Sequence, residues 1–416
     1  MQQEYLLRAE RIMQRIQQLA AISEDANGVT RTFGTPAFLE GRALVQSWLE
    51  AAGLVTRVDG IGNLRARLES PLAGAKTFVL ASHIDTVVNA GKFDGPLGVL
   101  MGLDLLENLM ARQVELPFHI ELIAFSDEEG VRFHTTYLGS KVVAGSFDHA
   151  LLARTDADGI TLAQALETMG AETNQIAVDA IPAADWLGYF EMHIEQGPVL
   201  WERQVPVALV TAIAGQQRVE LTFRGMAGHA GTVPMDMRQD ALCAAAEFVL
   251  TAEQFAQVHG RGLVATVGKL AVSRSASNVI PGEVTCSLDL RSPDEQQLAQ
   301  AHDFLRGHAE ASAGHRNVQL EWQPVQQTAP VICDADLNSL LAQAIAERGH
   351  ETIPLVSGAG HDAVPVSLVA PATMMFIRCY KGISHNPLEN VELADLAAAV
   401  AVADRFIYQL KAKHEK

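Results

Sequence analysis

A chain of 416 residues exceeds what one hydrophobic core ordinarily organises, so two domains are expected. With 48% apolar and 19% charged residues it reads as globular, and a formal net charge of −18 excludes the basic face that nucleic-acid binding needs. Four scattered cysteines without a C-x-x-C pair argue against thiolate zinc or a disulfide framework and fit a reducing, cytoplasmic setting.

In chain order, Leu6 to Leu19 and Phe38 to Ala52 carry helical apolar spacing, and Gly53 follows as a terminator. Val55–Val58 and Leu64–Leu68 alternate like strands. Thr77 to Ser82 is a continuous apolar run, as a strand buried on both faces requires, and His119 to Phe125 is a second. Leu97 to Met110 between them is a helix, and this alternation predicts an α/β layer with a mostly parallel sheet. From Ile213 the character changes. Val219 to Arg224, Arg238 to His259, Val264 to Val272, Glu283 to Arg291, Glu295 to Ala311 and Val318 to Trp322 give the order β-α-β-β-α-β of a ferredoxin-like α+β unit. Residues 213–327 are therefore expected to be an inserted domain, and 1–212 with 328–416 the first. Leu337 to Gly349, Thr373 to Arg378 and Leu393 to Leu410 complete the latter as helix, strand and helix. No basic start with an apolar run marks a signal peptide, and the Ala-rich stretch from Leu393 is broken by Asp395 and too short to span a bilayer.

Acids and imidazoles gather at the ends of these strands. His83 ends a buried run, and Asp85, two residues on, shares its side and is placed to accept the second ring N–H. Asp94 stands before Gly95-Pro96 at a helix start, where an N-cap is the simpler role. Glu128-Glu129 is a like-charged pair that needs solvent or a cation. One carboxylate suits metal ligation and the other general base and acid work, and the residues alone do not say which does which. Alternation puts His193 with Glu191 and Glu195 on one face, and His385 precedes Asn386-Pro387. Five donors, His83, Asp94, Glu129, His193 and His385, suffice for two ions sharing a bridging carboxylate. A second set lacks metal-type grouping: His229, Asn278 and Arg291, with His361 in a Gly-rich stretch. Arg291 can meet a carboxylate bidentately, and His229 and Asn278 are neutral donors for a developing oxyanion.

The runs SHIDTV, FDGPLGV, SDEEGVRF, HIEQGPVL, AGHAGTVPM, SASNVIPGE, SGAGHDA and GISHNPLE together resemble the hydantoinase/carbamoylase branch of the M20 metallopeptidase family, over nearly the whole chain. The resemblance implies a zinc-peptidase-like catalytic domain plus an inserted lid and dimerisation domain. It implies His83, Asp94, Glu129, His193 and His385 as ligands of two divalent ions, zinc or else manganese, cobalt or nickel, with Asp94 bridging. It implies Glu128 as catalytic base and Asp85 as the partner of His83. Gln196, His229, Asn278, Arg291 and His361 match substrate-binding positions, with Arg291 on the substrate carboxylate. A homodimer through the lid is implied, in which His229 reaches either its own or the partner's site. Histidine at 193, where ordinary M20 peptidases carry an acid, favours the carbamoylase branch over a dipeptidase. The expected reaction is hydrolysis of an N-carbamoyl-L-amino acid to amino acid, carbon dioxide and ammonia. The alternative is allantoate hydrolysis to ureidoglycine, ammonia and carbon dioxide, which these motifs do not separate.

Overall fold

The computed structural model describes residues 2–260 and 262–415. By contacts the chain forms two units: one from the N-terminus to Thr211 with Cys333–Leu355 and Gly360 onward, the other Ala212–Ile332 with Val356–Ala359.

The first unit is built on a mixed sheet. Its strands lie in the order Val55–Val58, Leu64–Leu68, His119–Phe125, Thr77–His83, Trp186–Ile194, Ala372–Ile377, Val207–Ile213. The four central strands are mutually parallel and the flanking ones antiparallel. Every residue of Thr77–His83 is buried, which explains its unbroken apolar run: both faces of a central parallel strand are covered by helices. One cover is the helix Pro96–Ala111. Proline starts it where no amide acceptor is missed, and most of its surface is buried. The helix Leu393–His414 packs on the same core, where Phe406 lies 4.7 Å from Phe190 and 6.0 Å from Phe78 between ring centroids. A buried Arg8 ties the first helix to Asp104 and Asp404 at 2.7 and 2.5 Å. Its two acid partners keep the guanidinium from being an uncompensated buried charge.

The second unit has its own core. Four antiparallel strands lie in the order Leu270–Val272, Glu283–Ser292, Gly215–Arg224, Gln319–Thr328, with Val264–Thr266 also paired to Glu283–Ser292. Helices Ala241–His259 and Glu295–His315 bury Phe248 and Leu305 against Leu221, Phe223 and Leu288 of the sheet. The segment expected as one strand from Val264 to Val272 is two short strands, interrupted around Gly268. The helix expected from Arg238 begins at Ala241, because the Asp240 side chain accepts the amides of Leu242 and Cys243 and caps it there. Among the described residues no helix is long and apolar enough to cross a membrane.

Candidate metal centre

Four adjacent parallel strands end on one edge, so whatever follows each strand is delivered to one place. Thr77–His83 ends on His83. His119–Phe125 leads to Asp127, Glu128 and Glu129, Trp186–Ile194 carries His193 next to its last residue, and Ala372–Ile377 leads into the loop of His385. Register sets the depth: Ala81 pairs with Glu191, so His83 lies level with His193, and their rings stack at 5.8 Å. Asp94 joins them from the turn before Pro96. It is not a helix cap. Gly95 takes the cap position at φ +85° without a side-chain bond, and a Cβ there would come within 2.5 Å of the His83 ring. The turn needs glycine on both counts, and the Asp94 carboxylate faces the histidines.

Asp94 stands at the middle of the cluster. Its Oδ1 is 3.1 Å from His193 Nε2 and 3.6 Å from His83 Nε2. Its Oδ2 is 3.3 Å from His385 Nε2, which in turn is 3.4 Å from Glu129 Oε1. Three overlapping groups result, each with donor atoms within 4.8 Å of one another: His83, Asp94 and His193; Asp94, Glu129 and His385; and His83, Glu128 and Glu129. The five expected ligands are thus brought together, with Glu128 among them.

The donor set fits divalent cations. His83 Nδ1 lies 3.0 Å from the main-chain carbonyl of Asp85, and His193 Nδ1 lies 2.9 Å from that of Ile194. A ring that gives its Nδ1–H to a carbonyl turns a bare Nε2 outward. Here both Nε2 atoms face the same carboxylate oxygen. Lone pair against lone pair at that range demands a proton or a cation between them. The titration shifts have the same origin. Burial works against ionising Asp94, but hydrogen bonds from His193, His385 and His83 hold its carboxyl well below the usual range. Hydrogen bonds to Asp94 and Glu129 push His385 up to about 10. Burial, then the charge of Glu129, raises Glu128 well above an ordinary glutamate.

Asp85 does more than the sequence suggested. Its carboxylate sits 3.5 Å from His83 Nδ1, farther than its own carbonyl, and accepts the amides of Glu128 at 3.0 Å and Glu129 at 3.1 Å. It therefore aligns the two adjacent acids. Glu191 and Glu195 do not share the role of His193. Glu191 accepts from Tyr189 and the Ala363 amide, and Glu195 caps the short helix Val199–Arg203 through Val199 and Leu200.

Of the expected substrate residues, two lie in the first unit. Gln196 donates to Asp94 Oδ2 at 2.8 Å. His361 is buried with its ring 4.6 Å from that of His193, and burial, then the neighbouring His193, lowers its pKa well below the ordinary imidazole value. The other three belong to the second unit. The two-stranded ladder of Gly228–His229 with Val279–Ile280 pairs His229 with Val279, beside Asn278, whose carbonyl accepts the Ala230 amide. Arg291 lines a cavity of about 690 Å³ with Arg218, Lys269, Asp289 and Gly358. Its guanidinium is already engaged, at 2.9 and 3.0 Å with Asp289 and 2.6 Å with the Gly358 carbonyl. A substrate carboxylate would have to share it.

Sequence reasoning passed over Ser384 and Glu389, which sit in the same loop as His385. Ser384 Oγ is 2.6 Å from Asp94 Oδ2, and Glu389 accepts the amides of Phe93 and Asp94. Burial, then the charge of Asp94, lifts Glu389 to about 7. The only available signal was an acid four residues after the histidine.

Comparison with known proteins agrees with this geometry. A family model described as peptidase family M20/M25/M40 matches residues 79–409. The chain is 37% identical over 97% of its length to a soybean (Glycine max) protein named allantoate deiminase 2, covering 90% of that protein. It is 36% identical over 97% of its length to an N-carbamoyl-L-amino acid amidohydrolase of Geobacillus stearothermophilus, covering 99% of it. Among solved structures, an amidase of the hydantoinase/carbamoylase family from Burkholderia multivorans superposes with a TM-score of 0.91 at 32% identity, covering 97% of this chain and 98% of the other.

Proposed function

The chain belongs to peptidase family M20/M25/M40 and is a hydrolase, and from that premise we propose that it is a two-metal amidohydrolase acting on the ureido group of an N-carbamoyl-L-amino acid. Water and the ureido acid give the free amino acid, carbon dioxide and ammonia. The observation that carries the reading is Asp94, whose two oxygens face separate histidine sets at 3.1 to 3.6 Å.

His83, His193 and one Asp94 oxygen would hold one divalent ion, and Glu129, His385 and the other Asp94 oxygen a second. Imidazole and carboxylate donors suit zinc and also manganese, cobalt or nickel. Such ions, when bound, supply Lewis acidity toward the ureido carbonyl and lower the pKa of water. The chain's own residues do the rest. Glu128, buried and high in pKa, takes a proton from the attacking water and returns it to the leaving nitrogen. Asp85 keeps Glu128 and Glu129 in register through their amides. We assign Gln196 and His361 to the substrate, His229 and Asn278 to the developing oxyanion, and Arg291 to the substrate carboxylate. The second unit we read as a ferredoxin-like lid through which two copies associate, with His229 acting in its own copy or in the other, in a cytoplasmic enzyme.

A second reading, allantoate hydrolysis, is favoured by the allantoate deiminases among the relatives, at 37% identity against 36% for the carbamoylase. The deciding assay is ammonia release from a panel of N-carbamoyl-L-amino acids and from allantoate. The primary reading expects turnover of carbamoyl amino acids that chelator abolishes and a divalent ion restores. Turnover of allantoate alone would transfer the assignment to the second reading. No release from any of them, or release that survives metal removal, would refute both.

A further inference from the structure

Glu389 carries no part of the chemistry above, yet among the described residues no other acid accepts the Asp94 main-chain N–H. It is 2% exposed. Its Oε1 accepts the main-chain N–H of Phe93 at 2.6 Å and of Asp94 at 3.1 Å. Its Oε2 lies 3.3 Å from Ser384 Oγ, which is also 2.6 Å from Asp94 Oδ2. One carboxylate therefore holds the backbone on which Asp94 stands, and its second oxygen lies beside the hydroxyl that meets the Asp94 side chain. A serine has one proton to give, so the hydroxyl donates to Asp94 or to Glu389 but not to both. The carboxylate also links two distant stretches of chain: Phe93 and Glu389 are 296 positions apart. One of these stretches presents Asp94, the other His385. Gly91 closes the arrangement from the far side. A Cβ built there would overlap the Glu389 side chain and come 2.5 Å from Oε1 itself.

We propose that Glu389 is a positioning residue for the metal pair, setting the separation of Asp94 from His385 by holding the main-chain N–H groups of Phe93 and Asp94. The inference rests on reading Asp94 and His385 as ligands. Partners of this kind commonly change metal affinity about 10–100-fold when removed. A staple that served folding alone would change melting temperature and leave affinity where it was.

The test is binding of Zn²⁺ or Mn²⁺ to the metal-free full-length protein, by calorimetry and by equilibrium dialysis with metal analysis. Melting of the metal-free form is measured in parallel. Glu389→Ala is expected to weaken binding about 10–100-fold. Gly91→Ala should do the same while leaving Glu389 in the chain, because the new methyl displaces the carboxylate from its amides. Glu389→Gln should bind within a few-fold of the parent. Its amide oxygen can still accept both N–H groups, and its NH₂ can donate to Ser384, leaving the serine proton for Asp94. Parent-like affinity in Gly91→Ala, or in Glu389→Ala, overturns the proposal whatever the melting temperatures do. So does a Glu389→Gln variant as weak as the alanine. Should Glu389→Ala fail to fold, Gly91→Ala and Glu389→Gln decide alone. A parent that takes up less than one ion per chain defeats the prior reading of Asp94. A parent that binds two ions with variants to match defeats only the role of Glu389.

Discussion

Replacing Glu128 by glutamine isolates proton transfer from metal binding. The side chain is 7% exposed, and its main chain is held on both sides, by Asp85 at the amide and by the Tyr137 amide at the carbonyl. An isosteric amide should sit in the same place and leave Glu129 undisturbed. What disappears is the capacity to accept and return a proton, a contribution of about 10²–10⁴ in rate, or about 3–5 kcal/mol of barrier. Glu128→Gln is therefore expected to lower kcat by that factor with KM nearly unchanged, in steady-state ammonia release on the metal-loaded protein. Metal content is the second readout, and it matters because Glu128 also lies within 4.8 Å of His83 and Glu129 donor atoms. If Glu128 were a ligand rather than a base, the variant would lose an ion. Loss of metal, or turnover within a few-fold of the parent, would refute the division of labour between the two glutamates.

Two further outcomes follow from the fold. Phe406→Ala removes a fully buried ring wedged between Phe78 and Phe190. It should cost about 3–5 kcal/mol in urea unfolding of the metal-free protein, and a loss under 1 kcal/mol would mean the site collapses to fill the space. Burial lifts Asp59 from 3.8 to about 6 despite the nearby Arg65. A folded pKa above the unfolded one means the folded state holds the proton better, so this stability is whole below about pH 4 and lost as pH rises through about 6. The difference of about two units corresponds to about 3 kcal/mol at most, and Asp59→Asn should remove that slope. A stability gap between parent and variant that stays constant from pH 4.5 to 7.5 would contradict it.

The sequence disclosed those parts of the molecule whose physics is local. Thr77–His83 and His119–Phe125 announce themselves as unbroken apolar runs, because central parallel strands are covered on both faces. The helix Pro96–Ala111 appears within a residue of its expected start and end. Long-range matters were hidden. Val207–Ile213 is a strand through partners that arrive much later in the chain, Ala372–Ile377 on one edge and Val331–Ile332 and Pro354–Ser357 besides. Asp94 looked like a cap because the backbone angle of Gly95 cannot be read from composition. The Asp289–Arg291 pair was legible in principle: residues two apart on one strand share a face, so a guanidinium there meets its own neighbour before any ligand. Glu389 had no such local signal, since its partners lie on the far side of the first unit's sequence.

The place of Ala372–Ile377 in the sheet also bears on how this polypeptide is made. It lies between Trp186–Ile194 and Val207–Ile213, both synthesised long before it. A nascent chain halted at the end of the second unit would carry two open strand edges where an inner strand of its sheet belongs, a surface prone to pairing with other chains. It would also lack His385 and Glu389. The strand that fills this gap and the loop bearing His385 and Glu389 thus come from one stretch of chain, which ties closure of the sheet to the arrival of those two side chains.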